Sequence, residues 1–282
     1  MSVRVFAPAK VNLTLQVARP RADGLHPLHS IVMFADVGDV VEATPADALS
    51  LTITGEFADG LEAGEGNLVL RAARALAVAA NVTTGAALTL EKNLPIASGI
   101  GGGSSDAAAT LRALNQLWSL NWSTAQLTLI ARTLGADVPA CLVGVPCVMS
   151  GTGEITAPIT APSFAAVLVN PLKPLPTPDV YRQFDAMGLG RALDEREPDL
   201  SISAIAAIGN DLTPAAEALA PEIREILATL RADARVRYAA LSGSGATVFA
   251  LCDDNAATEA IADALQQKRP GWWIAGTILG GA

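Results

Sequence analysis

The sequence predicts an α+β fold with two domains, and three observations lead to that prediction. Strand-like and helix-like patterns alternate in both halves of the chain, which favours mixed layers over a doubly wound parallel sheet. The length of 282 residues allows two domains, each with a core of its own. Residues 152–164, TGEITAPITAPSF, are rich in Thr, Pro and Gly and mark a boundary. We expect one domain over residues 1–155 and a second over residues 156–282.

Strands dominate the start of the first predicted domain. Residues 11–17, VNLTLQV, alternate strictly between apolar and polar side chains, which predicts a half-buried strand with Lys10 and Asn12 on its polar face. The stretches IVMF, VVEATP and ALSLTITGEF predict further strands. Residues 67–81, NLVLRAARALAVAAN, predict an apolar helix, and GAALTLEKNLP predicts a strand that leads into a glycine-rich stretch at 95–105.

Helices follow the glycine-rich stretch, and the second predicted domain mixes both element types. The next helix places Ala107 and Leu111 on one apolar stripe, and STAQLTLIARTLG predicts another helix between Ser123 and Gly135. In the second half, AAVLVN predicts a strand and PAAEALAPEIREILATLRA predicts one long helix. YAALSGSGATVFALC predicts two strands joined by a tight loop, followed by a helix near 256–268 and a last strand in WWIAGTIL.

Composition excludes several classes of partner. The formal net charge is −9 and the pI is about 4.7, so neither a nucleic-acid duplex nor an anionic membrane surface is expected as the main partner. In so acidic a chain, a bound polyphosphate needs backbone amides, a metal ion or a few lysines to offset its charge. Cys141, Cys147 and Cys252 form no CxxC pair, which argues against a zinc site or a disulfide framework and fits a reducing cytoplasm. No apolar run approaches the roughly 18 residues that a membrane span needs.

The stretch PIASGIGGGSS has the composition of a phosphate-binding loop without either standard fingerprint. No Lys-Ser or Lys-Thr follows its last glycine, as a P-loop requires, and the sixth position of a G-x-G-x-x-G motif is Ser104. Glycines can still turn several N–H groups toward one anion, and the N-terminus of the next helix carries partial positive charge. Ser104 and Ser105 would cap that helix or bind a phosphate oxygen. The alternative is a flexible linker or a close-packing turn.

The glycine-rich stretch resembles the central motif of the GHMP kinase superfamily, which includes galactokinase, homoserine kinase and mevalonate kinase. Four more motifs, APAKVNLTLQV, RADGLHPLHS, LGADVP and LSGSGATVFAL, resemble in order those of one branch of that superfamily. Members of this branch transfer the γ-phosphoryl of ATP to the 2-hydroxyl of 4-(cytidine 5'-diphospho)-2-C-methyl-D-erythritol in the non-mevalonate isoprenoid pathway. The resemblance implies a ribosomal-S5-like N-terminal domain that binds ATP and a ferredoxin-like C-terminal domain.

The resemblance implies catalytic roles for Lys10 and Asp137. In the similar enzymes the aspartate of GADVP is the catalytic base, and a hydroxyl nucleophile needs such an acceptor for its proton. A lysine that pairs with Asp137 would keep it ionised and would stabilise charge on the attacking oxygen. The alternatives are an ordinary turn aspartate and a solvated strand lysine.

The resemblance also implies ATP as the nucleotide. Mg²⁺ is expected to bridge its phosphates, although no carboxylate in the sequence stands out as a ligand to that ion. Asn67 resembles a family residue near the adenine, and helix capping explains this residue equally well. The other predicted ATP-binding residues are Pro95, Ile96, Ala97, Ser98, Gly99, Ile100, Gly101, Gly102, Gly103, Ser104 and Ser105.

The partner that the resemblance implies is a small molecule carrying a cytidine diphosphate. His26 matches a family position beside the cytosine, and Tyr181 falls where the family places a stacking aromatic. The alternatives are a surface-turn histidine and a core aromatic. The residue before the histidine, commonly tyrosine in the family, is Leu25 here, and base–aromatic stacking contributes about 1–3 kcal/mol. The other predicted substrate-binding residues are Asn12, Gly243 and Gly245, for which an ordinary polar strand residue and a plain hairpin turn are the alternatives.

Two other functions share part of this pattern. Another GHMP kinase, of homoserine or mevalonate type, would share the glycine-rich stretch but not RADGLHP together with AKVNL. A non-catalytic nucleotide-binding module would be expected to lack Lys10 or Asp137, and both are present. The expected assembly is a monomer or a weak homodimer in the cytoplasm.

Overall fold

The computed structural model describes residues 2–280, and none of the helices in that range is both long and apolar enough to cross a membrane. The strands are Val3–Asn12 (β1), Gln16–Val17 (β2), Leu28–Ala46 (β3), Ser50–Thr54 (β4), Gly85–Glu91 (β5), Cys147–Ser150 (β6), Ile155–Pro158 (β7), Phe164–Asn170 (β8), Val236–Leu241 (β9), Val248–Cys252 (β10) and Trp273–Gly280 (β11). The helices are Leu68–Ala79 (α1), Gly102–Leu117 (α2), Thr124–Leu134 (α3), Val138–Val143 (α4), Thr177–Ala186 (α5), Ile202–Ile208 (α6), Thr213–Leu219 (α7), Glu222–Arg231 (α8) and Asn255–Lys268 (α9).

These elements form two compact units, and each unit is assembled from several stretches of the chain. Unit 1 comprises 2–9, 37–96 and 101–144. Unit 2 comprises 10–36, 97–100 and 145–280. Strands β1 and β3 and the glycine-rich stretch each pass from one unit into the other. The division into domains over 1–155 and 156–282 stays a prediction.

Unit 1 combines a small sheet with packed helices. Strand β4 pairs in parallel with β5, and β5 pairs antiparallel with residues 40–46 of β3. Helices α1, α2 and α3 pack on one another, and α4 packs on α2 and α3. The buried face of α2 carries small side chains, including Ala107, Ala108 and Ala109, which let neighbouring helices approach closely. Because α2 begins at Gly102, this packing fixes the last four residues of the glycine-rich stretch.

The C-terminal part of unit 2 has the ferredoxin-like topology that was expected. Between β8 and β9 the chain forms α5 to α8, and between β10 and β11 it forms α9. The strands lie in the order β11–β8–β10–β9 and pair antiparallel, which is the β-α-β-β-α-β arrangement. Helices α8 and α9 pack on this sheet. Its core includes Val167 and Val248 from the strands and Ile226 and Ile261 from these two helices.

The rest of unit 2 is built around the first half of β3. Residues 28–29 of β3 pair with β2, and residues 30–32 pair with β6, which in turn pairs with β7. Residues 34–35 pair with the end of β11. The stretches IVMF and VVEATP, expected as separate strands, are therefore parts of one long strand whose successive portions have different partners.

The prediction that residues 11–17 form a half-buried strand is wrong. Regular β1 ends at Asn12, and the polar side chains of Asn12, Thr14 and Gln16 are 4%, 0% and 1% exposed. Protein covers both faces, and buried polar groups of this kind need hydrogen-bond partners. Oγ1 of Thr14, for example, accepts a 3.0 Å hydrogen bond from the backbone N–H of Ile31. The apolar side chains of residues 11–17 pack in the core, and the polar side chains form internal hydrogen bonds instead of facing water.

The single long helix expected after residue 213 is also wrong. Helix α7 ends at Leu219 and α8 begins at Glu222. Pro221 lies between them, and proline lacks the N–H that would continue the helical hydrogen bonds. The helix expected near 256–268 is confirmed as α9.

Candidate active site

Lys10 is buried and held by its neighbour on the polar face of β1. Its Nζ donates a 2.9 Å hydrogen bond to Oδ1 of Asn12. Nδ2 of Asn12 donates to Oγ of Ser30 at 2.7 Å, and Oγ of Ser30 donates to the carbonyl oxygen of Thr14 at 2.5 Å. Lys10 is only 3% exposed, so the solvated-lysine alternative is wrong. A buried chain of hydrogen bonds therefore fixes the ammonium group.

The loop between β9 and β10 packs against the glycine-rich stretch. A Cβ on Gly243 would lie 2.7 Å from the carbonyl oxygen of Gly99 and 3.3 Å from Oδ1 of Asn12. A Cβ on Gly99 would lie 2.5 Å from the carbonyl oxygen of Ser242 and 2.6 Å from the backbone nitrogen of Gly245. Oγ of Ser242 donates to the carbonyl oxygen of Gly99 at 3.1 Å. A plain hairpin turn does not account for this loop, because the loop packs closely against Gly99 and Asn12, which are both predicted site residues.

The glycine-rich stretch uses left-handed backbone at alternate residues. Ala97, Gly99 and Gly101 have φ angles of 50°, 77° and 64°. Glycine adopts this region without strain, whereas a strained non-glycine residue such as Ala97 is typical of functional loops. Gly101 is the N-cap of α2 and no side chain caps that end. The first-turn N–H groups of α2 have no carbonyl partner within the helix, which is the usual arrangement for binding a phosphate.

Ser104 and Ser105 lie inside α2 rather than at its cap. The helix starts at Gly102, two residues before the first serine, so the expectation that these serines cap it is wrong. Ser105 is fully buried and its Oγ donates a 2.6 Å hydrogen bond to the carbonyl oxygen of Pro8. Ser104 is only partly buried. A contact between the Ser104 hydroxyl and a phosphate stays a prediction.

An ion cluster that sequence reasoning missed is buried at the start of α2. Nζ of Lys92 forms a close ion pair with Oδ2 of Asp39 and a 2.9 Å ion pair with Oδ2 of Asp106. The three side chains are 3%, 0% and 4% exposed. Oδ1 of Asp39 accepts hydrogen bonds from the backbone N–H groups of Asn93 at 2.6 Å and Leu94 at 2.8 Å. The available signal was a lysine and an aspartate flanking the glycine-rich stretch within apolar sequence.

The cluster contains two carboxylates and one ammonium group. Burial raises the pKa of the Asp106 carboxyl to about 7, although Lys92 opposes this shift. Burial alone would lower the pKa of the Lys92 ammonium, but Asp106 and Asp39 outweigh burial and raise that pKa. Oδ1 of Asp106 is buried and accepts no hydrogen bond from the described part of the chain. Asp106 therefore takes up a proton near neutral pH.

Asp137 lies in the turn between α3 and α4, at the N-cap position of α4. Its carbonyl oxygen accepts a 3.1 Å hydrogen bond from the backbone N–H of Cys141. Its side chain makes no capping hydrogen bond, and the residue is only partly buried. Asp137 therefore does not cap α4 with its carboxylate, and its role as the catalytic base stays a prediction. Its pairing with Lys10 stays a prediction.

Asn67 caps α1, as one of its two interpretations predicted. Its Oδ1 accepts a 2.9 Å hydrogen bond from the backbone N–H of Val69, and its Nδ2 donates to the carbonyl oxygen of Glu62 at 3.1 Å. The side chain therefore has a structural role, and its place near the adenine stays a prediction.

His26 is enclosed by side chains of α5. Its Nε2 lies 2.9 Å from Oδ1 of Asp185, and its ring centroid lies 4.8 Å from that of Tyr181 and 6.0 Å from that of Phe184. The His26 side chain is 8% exposed, so the surface-turn alternative is wrong. Tyr181 also packs against the core of unit 2, as its alternative interpretation predicted. Leu25, which precedes His26 in the chain, is 50% exposed, so His26 and not Leu25 is enclosed by α5.

Family models match both parts of the chain. The model described as "GHMP kinases N terminal domain" matches residues 67–145, and "GHMP kinases C terminal" matches residues 185–271. A crystal structure of homoserine kinase from Cytophaga hutchinsonii superposes with a TM-score of 0.73 at 19% identity, covering 99% of this chain and 95% of that one. At that identity the likeness shows the fold alone. Together the fold and the family matches define a GHMP kinase, a small-molecule kinase that uses ATP.

Similar proteins show to which group of GHMP kinases this chain belongs. The 4-diphosphocytidyl-2-C-methyl-D-erythritol kinase of Paramagnetospirillum magneticum is 47% identical over 280 residues, covering 97% of each chain. That of Cereibacter sphaeroides is 49% identical over 276 residues, covering 95% of this chain and 96% of the other. A crystal structure of 4-(cytidine 5'-diphospho)-2C-methyl-D-erythritol kinase superposes with a TM-score of 0.82 at 35% identity, covering 99% of this chain and 100% of that one. The chain belongs to this family of kinases.

Proposed function

We propose that the chain transfers the γ-phosphoryl group of ATP to the 2-hydroxyl of 4-(cytidine 5'-diphospho)-2-C-methyl-D-erythritol, a step of the non-mevalonate route to isoprenoid precursors. The observation that carries the proposal is identity of 47–49% along nearly the whole chain with kinases of that name. The geometry around Lys10 supports it. The backbone N–H of Lys10 donates a 2.9 Å hydrogen bond to the carbonyl oxygen of Ile100, which anchors the main chain of Lys10 to the glycine-rich stretch.

The proposed reaction is a direct in-line transfer. Asp137 accepts the proton of the substrate 2-hydroxyl as that oxygen forms a bond to the γ-phosphorus, and the bond from that phosphorus to the bridging oxygen breaks to release ADP. The ammonium of Lys10 stabilises negative charge on the attacking oxygen and keeps Asp137 ionised. Asn12 contributes by orienting Lys10, whose ammonium it binds, and by contacting the substrate hydroxyl.

ATP is proposed to bind residues 95–105, together with Asn67. The chemistry of the available donors fits polyphosphate, because backbone N–H groups around Gly101 and at the first turn of α2 lie in one short segment. No group of three or more His, Cys, Asp or Glu side chains among residues 2–280 is arranged to hold a metal ion. Mg²⁺ would be held mainly by the ATP phosphates, where it would offset charge on the transferring group.

The cytidine diphosphate is proposed to bind through unit 2. His26 and Tyr181 form a tilted aromatic pair, and such faces suit a pyrimidine base. Gly243 and Gly245 would let the backbone of their loop approach the substrate phosphates without a side chain in the way. Leu25 would add apolar contact in place of a stacking ring.

Wider features of the proposal follow the family. Residues 1–155 are proposed as the ATP-binding domain and residues 156–282 as the C-terminal domain of a cytoplasmic enzyme, monomeric or weakly dimeric. A kinase of homoserine or mevalonate type is less well supported, since the solved homoserine kinase is only 19% identical. A non-catalytic module is disfavoured because Lys10 and Asp137 are both retained.

Turnover of purified protein tests the proposal. ATP consumption is measured with Mg²⁺ and, separately, the cytidine-diphospho-methylerythritol, homoserine and mevalonate. We expect turnover with the cytidine compound alone, and a loss of kcat of about 10²–10⁴-fold in Asp137→Asn, because a general base contributes that much. Asp47→Asn, an exposed aspartate of unit 1, is the matched control and should behave as wild type. Turnover of another alcohol, or an active Asp137→Asn enzyme, would contradict the substrate or the base respectively.

A further inference from the structure

Both ends of the glycine-rich stretch are held by one buried ion cluster, formed by Lys92, Asp39 and Asp106. On the side before the stretch, Asp39 holds the backbone N–H groups of Asn93 and Leu94 with one carboxylate oxygen and the Lys92 ammonium with the other. On the side after it, the same ammonium pairs with Asp106, which lies in the second turn of α2. One charged group therefore links the segment that enters the stretch to the helix that leaves it.

The first residue of α2 lies directly on this ammonium group. A Cβ on Gly102 would be 2.9 Å from Nζ of Lys92 and 3.6 Å from Oδ2 of Asp39. Gly102 is a helical residue, so its backbone does not require glycine, but a side chain here would force the Lys92 ammonium to shift. The position of the helix start is thus defined by contact with Lys92.

The main chain of Lys92 is itself firmly held. Its backbone N–H donates to the carbonyl oxygen of Thr54 at 2.7 Å, and its carbonyl oxygen accepts from the N–H of Phe57 at 3.0 Å. A Cβ on Gly55 would lie 2.6 Å from that carbonyl oxygen, so the two segments are in close backbone contact. A lysine anchored at its backbone and paired at its ammonium makes a rigid reference point.

We infer that Lys92, Asp39 and Asp106 are positioning residues for ATP. They fix the two ends of the glycine-rich stretch relative to each other and so direct its N–H groups toward the phosphates. This inference rests on the proposed function, in which that stretch binds ATP. Buried ion clusters contribute little net stability, since the cost of desolvation offsets the attraction between the charges. Their value here is the geometry that they impose on neighbouring backbone.

Two sets of substitutions test the inference. Lys92→Met/Asp106→Leu removes the link at similar side-chain volume, and Asp106→Asn keeps the size and one acceptor for Lys92 while it removes the charge. We expect the KM for ATP to rise about tenfold in the first and about three- to fivefold in the second, as loss of a charge-assisted hydrogen bond predicts. The KM for the cytidine substrate should stay within about twofold in both. A purely structural role would lower the melting temperature without separating these two constants.

An exposed ion pair next to Lys92 in the chain supplies the control. Arg4 and Glu91 pair at 2.9 Å, and Glu91 immediately precedes Lys92, but their side chains are 63% and 43% exposed. Arg4→Met/Glu91→Leu should leave the KM for ATP at its wild-type value. An equal rise in this control would show that any charge loss near β5 disturbs ATP binding, and would overturn the inference.

The remaining outcomes separate this inference from the proposed function. Gly101→Ala strains the glycine-rich stretch itself, because φ is 64° there. If Gly101→Ala raises the KM for ATP and the cluster variants leave it unchanged, the inference alone fails. If Gly101→Ala also leaves it unchanged, the assignment of ATP to the stretch fails. If neither cluster variant unfolds cooperatively, the cluster serves stability and the inference is likewise overturned.

Discussion

The ammonium of Lys10 is 2.9 Å from Oδ1 of Asn12, and the orientation of that amide is fixed from its other end. Nδ2 of Asn12 donates to the hydroxyl of Ser30, which is 18 residues further along the chain and fully buried. A buried amide has both ends satisfied in only one orientation when its neighbours are an ammonium and a hydroxyl oxygen. Ser30 therefore helps to position Lys10 by fixing the amide of Asn12.

Ser30→Ala should lower kcat by about tenfold, equivalent to about 1.4 kcal/mol of lost transition-state stabilisation. The substitution leaves the amide nitrogen of Asn12 buried without its acceptor, so the amide can turn and release Lys10. The KM for ATP should not change. Steady-state kinetics with varied ATP and varied cytidine substrate measure both constants.

Thr258→Val is the matched control for Ser30→Ala. It removes a buried hydroxyl of α9 that donates to the carbonyl oxygen of Asp254 at 3.1 Å. Both variants should lose about 1 kcal/mol of unfolding free energy. Only Ser30→Ala should lose kcat, and an equal kcat in the two variants would contradict the role given to Ser30.

Gly99→Ala should destabilise the protein more than Gly188→Ala does. Both glycines have positive φ, 77° and 68°, so both substitutions cost about 1 kcal/mol of backbone strain. An added Cβ meets backbone atoms within 2.6 Å at Gly99 and nothing within 4 Å at Gly188. Urea unfolding of both variants measures the difference. Equal midpoints would mean that the packing of Gly99 against the loop between β9 and β10 is looser than the structure indicates.

Local patterns predicted many of the helices and strands. The ferredoxin-like topology was implied by the resemblance to GHMP kinases, whereas the shared strand face of Lys10 and Asn12 followed from their spacing of two residues. The break at Pro221 was also visible locally, but the apolar pattern continued through it. An apolar pattern of helical spacing indicates only that a segment favours a helix, and a single proline can still end that helix.

The supporting residues could not be predicted in the same way, because they reach the site from distant parts of the chain. Ser242 binds the backbone N–H of Asn12 across 230 residues, and Asp185 binds His26 across 159. An isolated serine or aspartate in a sequence is typical of a solvent-exposed residue. Only the tertiary fold brings Ser242 to Asn12 and Asp185 to His26.

Asp185→Asn should raise the KM for the cytidine substrate by about three- to tenfold and leave the KM for ATP unchanged. The carboxylate lies 2.9 Å from Nε2 of His26 and sets which ring nitrogen carries the proton. An amide offers a weaker, uncharged partner, so the ring loses its fixed orientation beside Tyr181. Kinetics with cytidine substrate varied at saturating ATP measure the change.

Asp179→Asn, on the same helix, is the control for Asp185→Asn. Its carboxylate pairs with Arg182 and not with His26, and its side chain is 42% exposed against 41% for Asp185. This variant should keep both KM values. If the two variants raise the KM for the cytidine substrate equally, a general loss of negative charge on α5 explains the effect and the orienting role is refuted.

The stability of Asp106→Asn relative to wild type should increase as the pH rises from about 5 to about 8. The pKa of Asp106 is about 7 in the folded chain, against an ordinary value of 3.8. Between these values the folded state binds more protons than the unfolded state, so the wild-type free energy of unfolding falls as the pH rises and is lowest above about 7. Asparagine does not titrate, and Lys92 stays charged throughout because its pKa is raised.

Urea midpoints of both proteins at several pH values measure this difference, because the titrations of all other groups cancel in the comparison. The groups that act on Asp106 are Lys92 and Asp39, and neither is changed by the substitution. Asp47→Asn, at an exposed position, should follow the wild-type curve throughout. Parallel curves for Asp106→Asn and wild type would mean that Asp106 is ionised across this range, with the Lys92 ammonium fully compensating the cost of burying both carboxylates.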